Sequence, residues 1–326
     1  MNSLDLKNAG SAGLPFSGVF LLRALSRRTA KNGKPFLVVE VGDRYGSFTF
    51  NIFEDSEIFY LLQNVPMATV LLLGGITETF NDRFSPRVQT LQKLSQKEAH
   101  DRGLDRDLYD GPNESVESLR KELDDHIARI GHEILRKTVI QALADVGEIF
   151  FSNTAAISMH HAYRCGLLEH SVHVTRAGVA LLPAYSFVNA DLAIAGMILH
   201  DIGKALEYRG DGAYERTRAG MLEGHVVLGF RIVRKAALTV GLEEDLLLQL
   251  EHIILSHQGM PEYGAAVLPS SPEGVFVSLV DNLDAKMAMV DRAIANVPNN
   301  AEFSEKIPGL ENARVFRGDR SDTTRK

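Results

Sequence analysis

The feature of this sequence that most constrains its fold is a change of pattern near residue 100. From about Phe16 to Leu94, short runs rich in β-branched and aromatic residues alternate with turn signals such as Asn32-Gly33. Residues 47–52 alternate polar and apolar side chains, as in a strand with one buried face. Five such runs in roughly 80 residues predict a small β-barrel with the size and strand number of an OB-fold.

The second part of the chain has the spacing of helices. From residue 118 onward, apolar residues recur at three- and four-residue intervals. After two amphipathic helices, we expect further helices over 166–182, 187–200, 222–240, 243–257 and 275–296. The predicted fold class is therefore α+β and multidomain, with a small N-terminal β-barrel (OB-fold) followed by an all-α domain.

A chain of 326 residues is long enough for two domains, each with its own core. A polar, charged stretch that contains Gly103, Gly111 and Pro112 separates the two patterns and is typical of a linker. The expected division is an N-terminal tail 1–15, the barrel 16–96, a linker 97–117, the helical domain 118–310 and a flexible tail 311–326.

Composition excludes several classes of protein. No stretch approaches the ~20 apolar residues of a membrane helix, and the N-terminus lacks the pattern of a secretory signal. The single cysteine, Cys165, excludes an internal disulfide and favours a reducing cytoplasm. Of the net charge of −7, residues 1–96 contribute +2 and the remainder −9. The mildly basic N-terminal part is therefore the better candidate for contacting nucleic acid.

Histidines are concentrated in the helical part. Eight of the eleven lie between His160 and His257, and neutral imidazole is a common ligand of transition metals. One apolar predicted helix, DLAIAGMIL, runs directly into His200 and Asp201. Burial of an ionised carboxylate beside an imidazole costs several kcal/mol unless a metal or another partner compensates. Taken alone, the dipeptide also suits a solvated helix end with a capping Asp201 and a solvated Lys204.

Two more polar residues, His170 and Asp281, lie in apolar helical surroundings. A single mixed nitrogen and oxygen site would satisfy all of these costly groups together. Such a site suits Mn, Fe, Zn, Ni or Co better than Ca, and Mg is also compatible. We expect a divalent metal cofactor, Mn²⁺ in the first place, with one or two ions. The predicted metal ligands are His170, His200, Asp201 and Asp281.

The order of these residues resembles that of the HD phosphohydrolase superfamily. The segments LLEHSVHV, ILHDIGK, EGHVVLG, HIILSHQG and VDNLDAKM, with FLLRALSRRTAKNGKPFLVVEVGDRYGSFTFNIFE before them, resemble YhaM-type 3′→5′ exoribonucleases. In that family an OB-fold precedes an HD domain. The resemblance covers roughly residues 16–300 and implies metal-dependent hydrolysis of single-stranded RNA, or also of single-stranded DNA. It further implies a homo-oligomer, and the single cysteine makes the cytoplasm the expected location.

The resemblance also implies residue roles. It makes the four predicted ligands the core metal site, Lys204 the cation that neutralises phosphate charge, and His225 and His257 the completion of a second metal site or a source of protons. The chain departs from the family at Gln258, where relatives often have a second histidine, and at Leu279, where an aromatic residue is frequent. The predicted catalytic residues are Lys204, Asp201, His225 and His257.

Candidate nucleic-acid contacts lie mainly in the barrel. The basic residues of this set either follow a phosphate backbone or form an ordinary solvated face. His173 lies on the helix face of His170, where substrate contact and a structural role are equally compatible with the sequence. His160 and His161 precede the same helix and could contact substrate. The predicted contacts are Arg23, Arg27, Arg28, Lys31, Lys34 and His173, and the possible stacking residues, most of them expected in the core, are Phe16, Phe20, Phe36, Phe48 and Phe50.

Two other functions fit parts of the pattern. One is an HD-type nucleotide phosphohydrolase or phosphodiesterase that acts on small substrates, for which an N-terminal barrel would be superfluous. The other is a nucleic-acid-binding protein with a structural metal site, which Gln258 favours and the full set of predicted ligands disfavours. Metal content and a turnover assay would distinguish these functions.

Overall fold

The computed structural model describes residues 1–9, 13–30, 33–80, 83–104, 108, 111–112, 114–156, 163–210, 214–295, 297 and 301–318. The chain divides into two compact units. One unit contains Met1–Asp110 and Arg292–Lys326, and the other contains Gly111–Asp291. The first division falls inside the predicted linker. The second falls before residue 310, where we expected the helical domain to end.

The first unit is built on an antiparallel sheet of five strands. Its elements are α1 (Ser3–Ala9), β1 (Pro15–Thr29), β2 (Pro35–Asp43), β3 (Gly46–Phe53), α2 (Glu57–Leu62), β4 (Val70–Ile76), β5 (Thr79–Phe80), β6 (Arg83–Phe84), β7 (Arg87–Leu94) and α3 (Gln96–Asp101). The sheet order is β3-β2-β1-β4-β7, and β5 pairs only with β6. The two edge strands, β3 and β7, approach each other. No ladder joins them within the described residues, so the predicted barrel is partly open, as OB-folds often are.

The core of this unit follows from strand alternation. Along β3, Phe48, Phe50 and Ile52 are buried, while the residues between them are exposed. Helix α2 covers the same core with Phe59, and its first turn is capped by the Ser56 side chain. The sheet and its helix therefore have the pattern that the sequence predicted.

The N-terminus differs from the expected tail. Residues 3–9 form helix α1, whose Leu6 is fully buried in the core of the sheet. The backbone N–H of Ser3 donates to the Asp43 carboxylate at 2.6 Å, which fixes the start of the helix to the end of β2. One apolar anchor and one hydrogen-bonded aspartate order a segment too short to show a helical period in the sequence.

The described part of the second unit is helical, as predicted, and also contains one short hairpin. Its elements are α4 (Val116–Ala128), α5 (Glu133–Val146), α6 (Glu148–Ser152), α7 (Gly166–Leu181), α8 (Ala190–Leu199), α9 (Lys204–Glu207), β8 (Tyr208–Gly210), β9 (Tyr214–Arg216), α10 (Arg218–Val240), α11 (Glu244–Ser256) and α12 (Pro272–Ala295). The five long helices that we predicted are all present, each within a few residues of its expected bounds. Among the described residues, no helix combines the length and apolar character that crossing a membrane requires.

Helix α8 lies at the centre of this unit. All of its residues from Leu192 to Leu199 are buried, because they are apolar on every face. The side chain of Asn189 caps its first turn. Helix α10 is interrupted at Gly224, whose φ of 70° and ψ of 160° are not helical. A glycine adopts this conformation at little cost.

The packing of the segment after α8 against α10 requires a glycine at position 203. A Cβ on Gly203 would lie 1.9 Å from the His225 carbonyl oxygen and 2.5 Å from the Gly229 backbone nitrogen. Neither contact can be relieved by a side-chain rotation, because both atoms belong to the backbone. We expect Gly203→Ala to lower the free energy of unfolding by about 1–3 kcal/mol, as overpacked sites do.

Thermal or denaturant unfolding of the second unit would measure this loss. Gly111→Ala is the matched control, since a Cβ there meets no atom within 4 Å. Equal stability of the two variants would contradict the close backbone approach.

Candidate metal centre

Five helical segments of the second unit deliver polar side chains to one buried position. His170 lies on α7, His200 and Asp201 directly follow α8, His225 follows the break in α10, and His257 ends α11. Asp281, on α12, completes the group. Four of the six are at most 1% exposed, namely His170, His200, Asp201 and His257. The structure thus brings together all the residues for which the sequence predicted a metal role.

The first ligand set surrounds one oxygen of Asp201. Oδ2 of Asp201 lies 3.4 Å from Nε2 of His170 and 3.4 Å from Nε2 of His200. The Nε2 atoms of His170 and His200 are 3.1 Å apart. Oδ1 of Asp281 lies 3.2 Å from Nε2 of His170. His170, His200 and Asp201 have the spacing of a metal-binding group. These are the four ligands predicted from the sequence.

The second ligand set surrounds the other oxygen of the same carboxylate. Oδ1 of Asp201 lies 3.5 Å from Nε2 of His225 and 3.4 Å from Nε2 of His257. These three residues also have the spacing of a metal-binding group. Asp201 is therefore shared between two adjacent positions, one on each side of its carboxylate.

The histidine rings are oriented by the hydrogen bonds of their other nitrogens. Nδ1 of His200 donates to the Met197 carbonyl at 2.8 Å, and Nδ1 of His257 donates to the Ile254 carbonyl at 2.7 Å. A carbonyl can only accept, so the proton resides on Nδ1 and each Nε2 presents a lone pair. This is the tautomer that a metal ligand requires.

The charges at the first position favour a cation. Burial alone would lower the pKa of His170, but Asp201, Asp281 and Asp284 outweigh it and raise that pKa well above its ordinary value. Burial would raise the pKa of Asp281, but His200 and His170 outweigh it and lower that pKa to about 2. The carboxylates thus remain ionised in a buried site and attract positive charge.

A bound divalent metal fits these residues. Neither carboxylate oxygen of Asp201 accepts a well-directed hydrogen bond from any residue that the structure describes. An ionised, buried carboxylate in this condition is costly. One cation between the ligands removes this cost. The donor set of imidazole nitrogen and carboxylate oxygen suits transition metals.

Lys204 lies beside the centre at the start of α9. Its Nζ is 2.6 Å from Oδ2 of Asp201, and the side chain is buried. Burial lowers the pKa of Lys204, but the attraction of Asp201 outweighs it and raises that pKa, so the ammonium stays charged. Lys204 therefore lies next to the candidate metal ligands, where its predicted role requires it to be.

Two functional carboxylates escaped the sequence analysis. Oδ2 of Asp284 lies 2.8 Å from Nδ1 of His170, and Oε2 of Glu207 lies 3.0 Å from Nδ1 of His225. Asp284 orients the His170 ring from behind, as carboxylates do at many metal sites, and Glu207 lies at ion-pair distance from the His225 ring. A signal for Asp284 was present, because it follows Asp281 by three residues and so shares its helix face. Glu207, in a four-residue helix, had no comparable signal.

Two residues discussed from the sequence lie at the edge of the centre. His173 has Nε2 at 3.1 Å from Oε1 of Glu114 and Nδ1 at 3.7 Å from Oδ1 of Asp284. Its side chain is 26% exposed, so it adjoins the site without facing the ligand nitrogens. Leu279, on α12 two residues before Asp281, is mostly exposed.

Three of the remaining predicted contacts, Arg23, Arg27 and Arg28, lie on β1 of the first unit. The Arg23 guanidinium donates to the Asp43 carbonyl at 2.7 Å, and the Arg27 guanidinium lies 5.9 Å from the centre of the Phe59 ring. Arg28 and Lys34 are exposed. Successive residues of a strand point to opposite faces, so Arg27 and Arg28 do not form one continuous basic stripe. Lys31, His160 and His161 lie outside the described residues.

The orienting role of Asp284 can be tested by metal binding. We expect Asp284→Asn to weaken Mn²⁺ binding at the first position by about 10- to 100-fold, because a neutral amide holds the His170 ring less firmly than a carboxylate. Calorimetric titration of the metal-free protein measures this affinity. Asp291→Asn, an exposed change on the same helix, serves as the control. Unchanged affinity in Asp284→Asn would contradict the role.

Comparisons with known proteins agree with this geometry. Residues 167–286 match the HD domain family, a span that contains all six ligand candidates. The 3′-5′ exoribonuclease YhaM of Geobacillus sp. is 29% identical over 91% of this chain and 90% of its own length. The YhaM proteins of Shouchella clausii and Bacillus subtilis are 29% and 28% identical, over 92% and 91% of this chain and 92% and 93% of their own lengths. The resemblance predicted from the motifs is confirmed: one segment of the chain matches the HD domain family, and the chain is similar to proteins named YhaM exoribonucleases along nine-tenths of its length.

Proposed function

We propose that this protein is a metal-dependent 3′→5′ exoribonuclease that hydrolyses the phosphodiester bonds of single-stranded RNA. The observation that carries the proposal is the buried Asp201 carboxylate, shared by two sets of histidine ligands inside an HD domain. Similarity to proteins named 3′-5′ exoribonucleases supports the choice of substrate. The similarity extends through the first unit, which a hydrolase of small nucleotides would not need.

The residues of the centre have different proposed roles in hydrolysis. His170, His200, Asp201 and Asp281 would hold one divalent ion, and Asp201, His225 and His257 would hold another. Such ions supply Lewis acidity toward a phosphate oxygen and make water a nucleophile near neutral pH. Lys204 keeps a positive charge beside the phosphate position and offsets negative charge that develops there. Nδ1 of His257 is committed to a carbonyl and its Nε2 faces Asp201, which favours a ligand role over a proton relay.

One face of the sheet supplies the surface for bases. Phe36 on β2 pairs in register with Phe53 on β3, and their rings stack with centres 5.7 Å apart and planes 29° from parallel. Arg28 on β1 is the register partner of Phe36, so the three side chains form one row on the sheet. Phe53 is 52% exposed, whereas Phe16, Phe20, Phe48 and Phe50 are buried in the core.

An aromatic row with one exposed ring, Phe53, beside an arginine suits unpaired bases. Bases stack on aromatic rings with little sequence preference, and arginine adds attraction to the phosphates. A cross-strand aromatic pair also stabilises a sheet, so the pairing by itself does not indicate binding. The exposure of the Phe53 ring to solvent is the observation that favours binding. We therefore add Phe36 and Phe53 to the proposed nucleic-acid contacts Arg23, Arg27, Arg28, Lys31, Lys34 and His173.

The similarity to known proteins does not specify the metal, the oligomeric state or several other details of the proposal. Manganese as the ion follows from the ligand chemistry, which other transition metals also satisfy. Action on single-stranded DNA, a homo-oligomeric state, a cytoplasmic location and the division into a barrel 16–96 and a helical domain 118–310 stay predictions.

Hydrolysis should depend on Asp201. We expect Asp201→Asn to reduce shortening of a 5′-labelled single-stranded RNA in Mn²⁺ to the level of the EDTA-treated protein, because both ligand sets lose their shared carboxylate. A denaturing gel would show the ladder from the 3′ end for the unmodified protein only, and circular dichroism would confirm that the variant folds. Undiminished shortening by Asp201→Asn would overturn the proposal.

Single-stranded RNA should bind through the aromatic row. We expect Phe53→Ala to weaken binding by about 1–3 kcal/mol, the usual effect of removing one stacked base contact. This is about a 5- to 150-fold increase in Kd. Fluorescence anisotropy in EDTA measures binding without cleavage. Tyr60→Ala is the control, since it removes another exposed ring of the same unit, on α2. Equal affinities of the two variants would count against the row.

A further inference from the structure

Helix α9, which carries Lys204, is a single turn of four residues. A turn of this length is not stable by itself in water, because ordering it costs more free energy than its one or two hydrogen bonds contribute. Carbonyls at its C-terminal end also lack partners within the helix. The position of the Lys204 ammonium beside Asp201 therefore depends on the contacts that hold this turn from outside.

One side of the turn is held by the start of α10. The Thr217 N–H donates to the Glu207 carbonyl at 2.8 Å, and the Thr217 hydroxyl donates to the Leu206 carbonyl at 2.7 Å. These bonds satisfy two carbonyls at the end of α9 that lies away from Lys204.

The other side of the turn is held by Asn153, the residue that follows α6. Its side chain is buried, and Nδ2 donates to the Lys204 carbonyl and to the Tyr208 carbonyl, each at 3.1 Å. Its Oδ1 accepts from the Thr154 N–H at 2.9 Å. A carbonyl can only accept and a backbone N–H can only donate, so a single orientation of the amide satisfies all three partners. Both amide protons of Asn153 are thus used to hold the first residue of α9 and the residue directly after it.

The backbone of Asn153 connects the same point to α7. The Asn153 N–H donates to the Ile149 carbonyl at 2.9 Å, and the Asn153 carbonyl accepts from the Leu167 N–H at 3.2 Å. Leu167 lies three residues before His170 on α7. Asn153 therefore fixes the turn of Lys204 relative to the helix that carries His170.

We infer that Asn153 is a positioning residue for hydrolysis, which holds α9 so that the Lys204 ammonium stays beside Asp201. The inference rests on the proposed role of Lys204 in offsetting phosphate charge. That role requires a fixed cation, and a misplacement of about 1 Å can lower a rate by about 100-fold. Satisfying two buried carbonyls also stabilises the fold, so the test must separate positioning from stability.

Asn153→Asp tests the inference, because it keeps the shape of the side chain and removes both donor protons. We expect kcat for single-stranded RNA in Mn²⁺ to fall by about 10- to 100-fold. KM for the RNA and Kd for Mn²⁺ should stay within about twofold of the unmodified protein. Asn189→Asp is the matched control, since the Asn189 oxygen accepts from the Leu192 N–H and a carboxylate keeps that bond. An unchanged kcat in Asn153→Asp would overturn the inference.

A second variant and a double-mutant cycle separate positioning from other effects. Asn153→Ser is small, uncharged and without the amide donors, so it should show the same fall in kcat, and it replaces Asn153→Asp if that variant does not fold. In a Lys204→Met background, the change at Asn153 should lower kcat by no more than about twofold, because the group that it positions is absent. An equal loss in both backgrounds would show a structural role alone and overturn the inference.

Hydrogen exchange measures the turn without turnover. The N–H groups of Leu206 and Glu207, which both donate to the Gly203 carbonyl, should exchange at least about tenfold faster in the Asn153 variants than in the control. Exchange as slow as in the unmodified protein would contradict the hold on α9. The kinetics are also measured with bis(p-nitrophenyl) phosphate, a small phosphodiester. Cleavage of this ester without cleavage of RNA by the unmodified protein would refute the exonuclease, while kcat for the ester would still decide the role of Asn153.

Discussion

The carboxylate of Asp201 is the group on which the rest of the centre depends. It is buried and ionised, because Lys204 and His200 outweigh the effect of burial and hold its pKa well below the ordinary value. Each carboxylate oxygen faces a different pair of imidazoles. Lys204 contacts only one of the two oxygens, Oδ2. A buried anion with so few direct donors destabilises a fold unless cations accompany it. The helices from α7 to α12 thus surround this position as a binding site for cations.

Most side chains of this cation-binding site come from the ends of helices and not from their middles. His200 and Asp201 follow α8, Lys204 begins α9, and His257 ends α11. Backbone carbonyls near a helix end lack partners within the helix and can accept from an imidazole. His200 and His257 each use a carbonyl three residues earlier in the chain. Ring orientation is therefore a local property of these two segments and does not depend on distant contacts.

The sequence predicted the residues that meet at the centre better than the groups that support them. Ligands in apolar helices stand out, because a lone His170 or Asp281 would be expensive to bury. Supporting carboxylates such as Glu207 lie among polar neighbours, where a charge needs no explanation. Helix α1 was missed because one buried leucine in seven residues shows no period. The hairpin of β8 and β9 was missed because three-residue strands are shorter than any alternation that a sequence can show.

The sheet shows a different limit. Strand number and the buried faces followed from alternation, and Phe48 and Phe50 are in the core for that reason. Register did not follow from alternation, because pairing depends on contacts between segments distant in the chain. Only the register places Phe53 beside Phe36 and Arg28, so a residue outside the predicted set joined the proposed surface.

The break at Gly224 has a consequence for how the second unit can vary. A continuous helix couples the angular phase of every residue to that of all the others, so one inserted residue turns all side chains beyond it by about 100°. At Gly224 this coupling is interrupted, and the His225 backbone is located instead by its close approach to Gly203. A change of length in 218–223 therefore leaves the helical phase of His225 unchanged and acts instead on the close contact between Gly220 and Glu207. A change of length between Gly224 and Val240 would rotate all later residues of α10 about the helix axis.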